Sequence, residues 1–565
     1  MIKANAGSIQ VSDTDSDLYR KQGAWGEQIL SDFLTTHAKQ NPQREALVEP
    51  PNKKSFLGAK PRRFTWAELS DVVNQLTRIL SDAGLGRGDI VIVQLPNTWE
   101  NVAALFAITR LGAIMSPLSL QSRALELNHA IATLEPKLYL CSRGYHNHNH
   151  FTYFANNAVG FEGQAVAIED LTPQINTTQR VNPEKVSDLQ QQAHPNDIAT
   201  LCWTSGTEGR PKAVPRTHNN WRASAIGVSD GFGMDNQAER ILLPFPLINT
   251  AAIGGVIMPW LYNGGTLVLH QPFDIDILSR QIVEERVSVT LASPTVLLAL
   301  LKSNFIKEAK AELCLRAVGC GSAAPSAALL SHYEDQLGIS IINMFGANEG
   351  TLLCSDRQLV PNAQARATVF PRVGYSDVVW PNRAANWLQS KLLDPETGVE
   401  ITTTEKVGVL AVKGPSIFPG YFNQGHLDRS TFTEDGFFQT GDLFEICSDE
   451  QGARLLKVIG RKKELVIRGG YNISPLEVDS ALAELPGVVE LATAGIPDAT
   501  YGERLCLYLV PQPGVQITLS SVHDFLRAQG LAKTKWPEQL VMVDILPRNA
   551  LNKVLRRQLA PTGAS

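Results

Sequence analysis

The chain has 565 residues, with 44% hydrophobic and 19% charged residues and a formal net charge of −5. That length calls for more than one domain, and that composition excludes a globally disordered or fibrous chain. The balance of 51 Lys+Arg against 56 Asp+Glu excludes a strong basic field for nucleic acid or an anionic membrane. The seven cysteines form no CxxC pair, which argues against a disulfide framework or structural zinc and for a reducing compartment. Residues 1–17 are polar and acidic, unlike a signal peptide. The longest apolar stretch, about residues 251–262, is short of the ~20 residues that span a bilayer. A large cytoplasmic enzyme with no membrane span is the expectation.

Residues 89–96 (DIVIVQLP) read as a short buried strand, and residues 101–113 (NVAALFAITRLGA) have the spacing and length of a helix. KLYLCS, AVAIED, IATLCWT, RILLPF, GTLVLH, VSVTLAS, RAVGCG and ISIINMF follow as β-like runs, most of them leading into helix-like stretches or Gly/Pro turns. This rhythm predicts α/β layers with largely parallel sheets. From about Gly408 the pattern becomes short strands joined by turns, a β-rich subdomain. Beyond Gly460 it is mixed again, with LEVDSALAEL and SVHDFLRAQG as helices and LCLYLVP as a strand. The expected class is α/β, with a large N-terminal domain over residues 1–462 and a small α+β C-terminal domain over residues 463–565. Alternating histidines at 146, 148 and 150 read as a solvated loop rather than a metal site.

Residues 203–212 (WTSGTEGRPK) follow an apolar strand-like run. Two glycines and three hydroxyls in a short turn can offer backbone and side-chain donors to phosphate oxygens, and Lys212 adds a cation. A Walker A loop is excluded, because Pro211 precedes the lysine and Ala213 follows it.

The segment resembles the phosphate-binding loop of the adenylate-forming superfamily: acyl- and aryl-CoA ligases, nonribosomal adenylation domains and luciferases. Four more stretches resemble that family in the expected order: NMFGANE (343–349), QTGD (439–442), GRKKELVIRGGYNISPLE (460–477) and LPRNALNK (546–553). The resemblance implies ATP, Mg²⁺ and coenzyme A as reactants and a C-terminal domain that moves. It implies Glu349 as the magnesium carboxylate, a hard oxygen ligand suited to that ion. Lys212 and Lys553 join it as catalytic charges. Thr204, Ser205, Gly206 and Thr207 would hold phosphate. Phe345 would stack on adenine beside Gly346, Gly321 and Ala323, and Asn348 would donate through its amide. Asp442 would accept the ribose hydroxyls, with Arg461 beside it. Lys463 falls at the family's hinge, and Gly469 and Gly470 match the loop of the thiol tunnel. Glu208, Asn348, Ala213 and Asn552 depart from the usual residues, and none removes a principal charge.

The acid pocket is expected around Asn249, Ile253 and Gly254. No Asp lies between Pro244 and Trp260, which disfavours a free α-amino acid, and the apolar run AAIGG (251–255) suits an apolar acyl or ring group. YRKQGAW (19–25) and ILSDFL (29–34) resemble aryl-acid adenylate ligases and cyclohexanecarboxylate-type CoA ligases; PPN (50–52) with PRRFTWAEL (61–69) leans to the second. The reading is an ATP-dependent acid–thiol ligase: a carboxylic acid becomes an acyl adenylate, then passes to coenzyme A. A stand-alone ligase that loads a carrier protein's pantetheine is the alternative within the class. A degenerate nucleotide-binding or scaffold protein is the alternative outside it. The oligomeric state is left open.

Overall fold

The computed structural model describes residues 13–175, 193–204, 211–234, 239–374, 378–449, 452–468, 471–498, 500–548 and 554–559. The apolar runs of the first half become two eight-stranded sheets. In order across the first sheet lie His426–Asp428, Tyr421–Asn423, Ala213–Thr217, Ile198–Trp203, Ile114–Pro117, Ile90–Gln94, Leu138–Cys141 and Gln164–Ala167. The second runs Leu352–Ser355, Ser340–Gly346, Ala317–Cys320, Val289–Ala292, Arg240–Leu243, Thr266–Leu269, Glu45–Val48 and Arg63–Thr65. Parallel pairing dominates the interior of both; antiparallel strands close both ends of the second sheet and one end of the first, whose other end, Gln164–Ala167, is parallel.

Side chains on a strand alternate between faces, and here both faces are buried. Val91 and Val93 enter the central core while Ile90 and Ile92 enter a second cluster on the opposite face. Likewise Ile241 and Leu243 face the central core and Leu242 faces outward, onto helices Ile275–Glu284 and Pro294–Lys302. The central core is filled by helices Leu30–Gln40, Trp66–Asp82, Trp99–Arg110 and His218–Phe232. Every residue of Trp99–Arg110 except Glu100 is buried, as suits a helix between two sheets. The result is helices and sheets in alternating layers, the α/β class expected.

Helix starts are locally encoded. Thr65 accepts from Glu68 N while the Glu68 carboxylate accepts from Thr65 N, a capping box worth about 1 kcal/mol. Thr217 caps His218–Phe232 in the same way through Asn220.

The β-rich region begins earlier than about Gly408. Val369–Pro371 and Gln389–Leu393 already belong to an antiparallel six-stranded sheet with Val407–Lys413, Glu400–Ile401, Phe438–Asp449 and Gly452–Arg461. Its principal hairpin is long, not a set of short strands, and it pairs Asp442 with Arg461. From Val466 onward a further sheet, including Val488–Asp498 and Gly502–Pro511, packs on helices Pro475–Leu482 and Leu519–Ala528 with apolar clusters of its own.

In the histidine segment His146, Asn147 and Asn149 are exposed in a loop, as expected, but its last histidine is not solvated. His150 is buried, its Nε2 lies 3.1 Å from Leu120 O, and Asn149 caps the helix it opens. The seven cysteines are all free thiols. Among the described residues, no helix is long and apolar enough to cross a membrane.

Candidate active site

Strands Ile198–Trp203, Ala317–Cys320 and Ser340–Gly346 end on one side of the layered domain, where open α/β sheets bind ligands. The chain after each strand carries predicted site residues. Thr204 closes the base of the phosphate loop: its N donates to Lys212 O at 2.9 Å, and Lys212 N donates to its Oγ1 at 2.9 Å. Ser205, Gly206, Thr207 and Glu208 lie outside the described residues, as do Gly469, Gly470, Asn552 and Lys553.

Phe345 is half-buried, with its ring 5.1 Å from Phe444 in an edge arrangement and 6.1 Å from Phe370. Phe444 sits two residues beyond Asp442 on the long hairpin, so the expected adenine and ribose residues are neighbours. Asp442 is buried and accepts from Arg461 Nε at 3.1 Å. Gly321 and the exposed Ala323 follow the strand next to that of Phe345, and a Cβ at Gly321 would stand 3.2 Å from Met344 O. Between them, Ser322 adopts φ +71°, uncommon for a residue with a side chain. Gly346 is exposed at the end of its strand.

Glu349 stands in a stitched turn. Ala347 N donates to Thr351 O, Gly350 N to Ala347 O, and Phe418 N to Glu349 O at 2.8 Å. Its Oε1 accepts from Tyr421 Oη at 2.8 Å, and Lys212 Nζ lies 4.4 Å over the Tyr421 ring. Beneath this turn Arg216 is fully buried; it donates to Asn348 O, Asn220 O and Ser224 Oγ and stacks on Trp221. Burial pushes its guanidinium down to about 10, with Cys202 and Glu349 pulling the other way, so it remains a cation at neutral pH.

Asn348 is anchored through its amide on two sides. Its Oδ1 accepts from Thr250 N and its Nδ2 donates to Trp203 O, both at 2.8 Å. It therefore ties the base of the phosphate loop to the turn after Asn249. Asn249 is buried and its Oδ1 accepts from Ala252 N at 3.2 Å. Ile253 and Gly254 are buried in a π-helical turn, Ile253–Ile257, where a Cβ on Gly254 would fall 2.8 Å from the Trp221 ring. Lys463 is exposed on the one-turn helix Lys462–Glu464 that follows Arg461. A cavity of about 240 Å³, lined by residues that include Asp15, Tyr19, Lys413, Arg429 and Phe418, includes none of the predicted residues.

The chain matches the AMP-binding enzyme family over residues 34–422 and the AMP-binding enzyme C-terminal domain over residues 477–553. It belongs to the AMP-binding enzyme family. Among its relatives, feruloyl-CoA synthase from Amycolatopsis is 30% identical over 505 residues, 88% of this chain and 93% of that one. The medium-chain fatty-acid–CoA ligase of Escherichia coli (strain K12) is 28% identical over 545 residues, 95% of this chain and 90% of that one. The crystal structure of ATP-bound MatB from Rhodopseudomonas palustris aligns with a TM-score of 0.77 at 25% identity, covering 94% of this chain and 98% of MatB.

Three residues of this AMP-binding enzyme escaped the motif reading. Tyr421 reaches Glu349 across 72 positions, and Arg216 reaches Asn348 across 132. Only the fold brings them together. Gly350 could have been read, since a glycine directly after a predicted ligand in a turn commonly marks a left-handed conformation.

Proposed function

We propose that this AMP-binding enzyme activates a carboxylic acid with ATP and transfers the acyl group to the thiol of coenzyme A. The supporting observation is that residues of separate motifs fall into three contacting groups, one for each part of a nucleotide. We assign Phe345, in contact with Phe444, to the base, Asp442, paired with Arg461, to the ribose, and the linked Thr204, Lys212, Tyr421 and Glu349 to the phosphates.

In the first step a carboxylate oxygen attacks the α-phosphorus and the bond to pyrophosphate breaks. Lys212 carries positive charge to the phosphates, and Lys553 is assigned to the oxygens shared by acid and α-phosphate. Asp442 holds the ribose, and Phe345 the base with Gly346, Gly321 and Ala323. Ser205, Gly206 and Thr207 complete the phosphate loop with Thr204.

Glu349 fits Mg²⁺. Among the described residues no cluster of three or more His, Cys, Asp or Glu could hold a metal alone. An ion at Glu349 would take its other ligands from phosphate and water, as Mg²⁺ at nucleotide sites does. When bound, it neutralises charge on the phosphates.

In the second step the thiol sulfur attacks the acyl carbon and AMP leaves. For this we assign the hinge to Lys463, between domains 1–462 and 463–565, and the thiol tunnel to Gly469 and Gly470. Asn249, with Ile253 and Gly254 behind it, forms the acid end, which rejects a free α-amino acid for want of a carboxylate partner to its ammonium. An aromatic, alicyclic or medium-chain acid is the proposed substrate.

Acid-dependent exchange of pyrophosphate into ATP across these acids tests the first step, and thioester formation with coenzyme A tests the second. A relative 28% identical over 572 residues is a vibriobactin-specific 2,3-dihydroxybenzoate-AMP ligase of Vibrio cholerae, so a pantetheine-bearing carrier protein forms a third arm. Exchange with free amino acids alone would overturn the acid assignment, and no exchange with any acid would overturn the activity.

A further inference from the structure

The two opposite charges assigned to the phosphates, Lys212 and Glu349, meet on one uncharged side chain. We propose that Tyr421 is a positioning residue that braces both for the metal–nucleotide complex. The inference rests on the nucleotide-binding reading above and adds a residue that no motif supplied. A phenol suits the task because its two chemistries point different ways. The negative face of the ring attracts an ammonium, and the hydroxyl donates to a carboxylate. Tyr421 uses both, with Lys212 Nζ at 4.4 Å from the ring centroid and Glu349 Oε1 at 2.8 Å from the hydroxyl.

The brace is itself held firmly. The Tyr421 ring stands 4.9 Å from Phe418 and 6.5 Å from Phe438, both edge-on. Its backbone follows Gly420 into a strand whose next residue, Phe422, pairs with Ala213, the neighbour of Lys212. The Glu349 carbonyl is bonded to Phe418 N on the same stretch of chain. Segment 418–422 therefore fixes the carboxylate at backbone and side chain and sits beside the lysine. A carboxylate has about four acceptor sites. The phenol takes one and thereby sets the direction in which the rest face a metal. The lysine lies over the ring, near enough to the Asp428 carboxylate to favour its charged form, and phosphate oxygens can replace the ring contact.

The two halves of the brace separate experimentally. Tyr421→Phe keeps the ring and removes the hydroxyl; Tyr421→Leu removes both. Calorimetric titration with ATP, in saturating Mg²⁺ and again in EDTA, reads them independently of turnover. Tyr421→Phe is expected to weaken ATP binding about 5- to 10-fold with Mg²⁺, the scale of a typical net hydrogen bond, and less than about 2-fold in EDTA. Tyr421→Leu is expected to weaken both. In a Glu349→Gln background, Tyr421→Phe is expected to add nothing, since its partner is already altered.

Equal loss with and without Mg²⁺, no loss, or full additivity with Glu349→Gln would overturn the brace. If Tyr421→Leu fails to fold, the Tyr421→Phe comparison decides alone. A Mg²⁺-selective loss in a protein that exchanges pyrophosphate with no acid would support the brace while overturning the reaction.

Discussion

Gly350→Ala is the sharpest perturbation the site allows. Gly350 has φ +103°, and a Cβ there would lie 1.9 Å from Ser416 O and 3.1 Å from Ile417 Cα. Both obstacles are backbone, so no side-chain rotation relieves them. Restoring an ordinary contact of about 3.4 Å demands about 1.5 Å of movement. That movement would fall on segment 416–418, which donates Ser416 Oγ to Gly350 O and Phe418 N to Glu349 O. The left-handed conformation costs about 1–2 kcal/mol and the overlap about 1–3 kcal/mol. Together they remove about 2–5 kcal/mol, a large part of a typical 5–15 kcal/mol stability. A displacement of about 1 Å at a catalytic carboxylate can cost about 100-fold in rate. Gly84→Ala is the control: its φ is +86°, but nothing lies within 4 Å of its Cβ position, so it bears only the conformational cost. Urea unfolding and pyrophosphate exchange on both variants separate the contributions. If Gly350→Ala matches Gly84→Ala in stability and keeps the wild-type rate, the close approach to Ser416 is not what holds Glu349.

His218 is buried and accepts from Leu30 N at Nδ1, and desolvation holds its pKa down to about 3. An unfolded His titrates near 6.5, so its contribution is complete above that pH and is lost as the pH falls toward 3. At pH 5 the loss is about 2 kcal/mol, and His218→Asn should flatten that slope in urea unfolding between pH 7 and 5. Asn348→Ala cuts the tie between Trp203 and Thr250, so KM for acid and for ATP should rise together, about 10-fold for a buried polar group left unpaired. Asp442→Asn should raise KM for ATP alone, and a rise confined to one substrate for Asn348→Ala would refute the tie. Lys553→Ala should cripple adenylate formation and spare thioester formation from supplied acyl adenylate; equal loss of both would refute that division.

Strands such as Ile90–Gln94 were legible because they are continuous apolar runs buried on both faces, whereas Arg63–Thr65 and His426–Asp428, short and partly exposed, were not. The start of the third sheet was not, because Val369–Pro371 and Glu400–Ile401 are too short to display alternation. The π-helical turn at Ile253–Ile257 was equally hidden, since its apolar residues fit an ordinary helix. In the site, each motif announced a residue type but not its partners. Asn348 read as a donor to the nucleotide, and the motif did not show that its amide also bonds Trp203 and Thr250. Arg216 belongs to no motif, and burial among Asn220, Ser224 and Trp221 sets it apart.

The strand Tyr421–Asn423 has a consequence for how the protein is made. It covers Ala213–Thr217, a strand synthesised some 200 residues earlier, and is in turn paired with His426–Asp428. While the ribosome is still extending the chain through that interval, the edge at Ala213 has no covering strand. An open edge invites pairing with another chain. Nascent copies stalled before about residue 420 are therefore the form of this protein with most need of a chaperone, and a version ended there should aggregate although the first sheet's parallel strands are already complete.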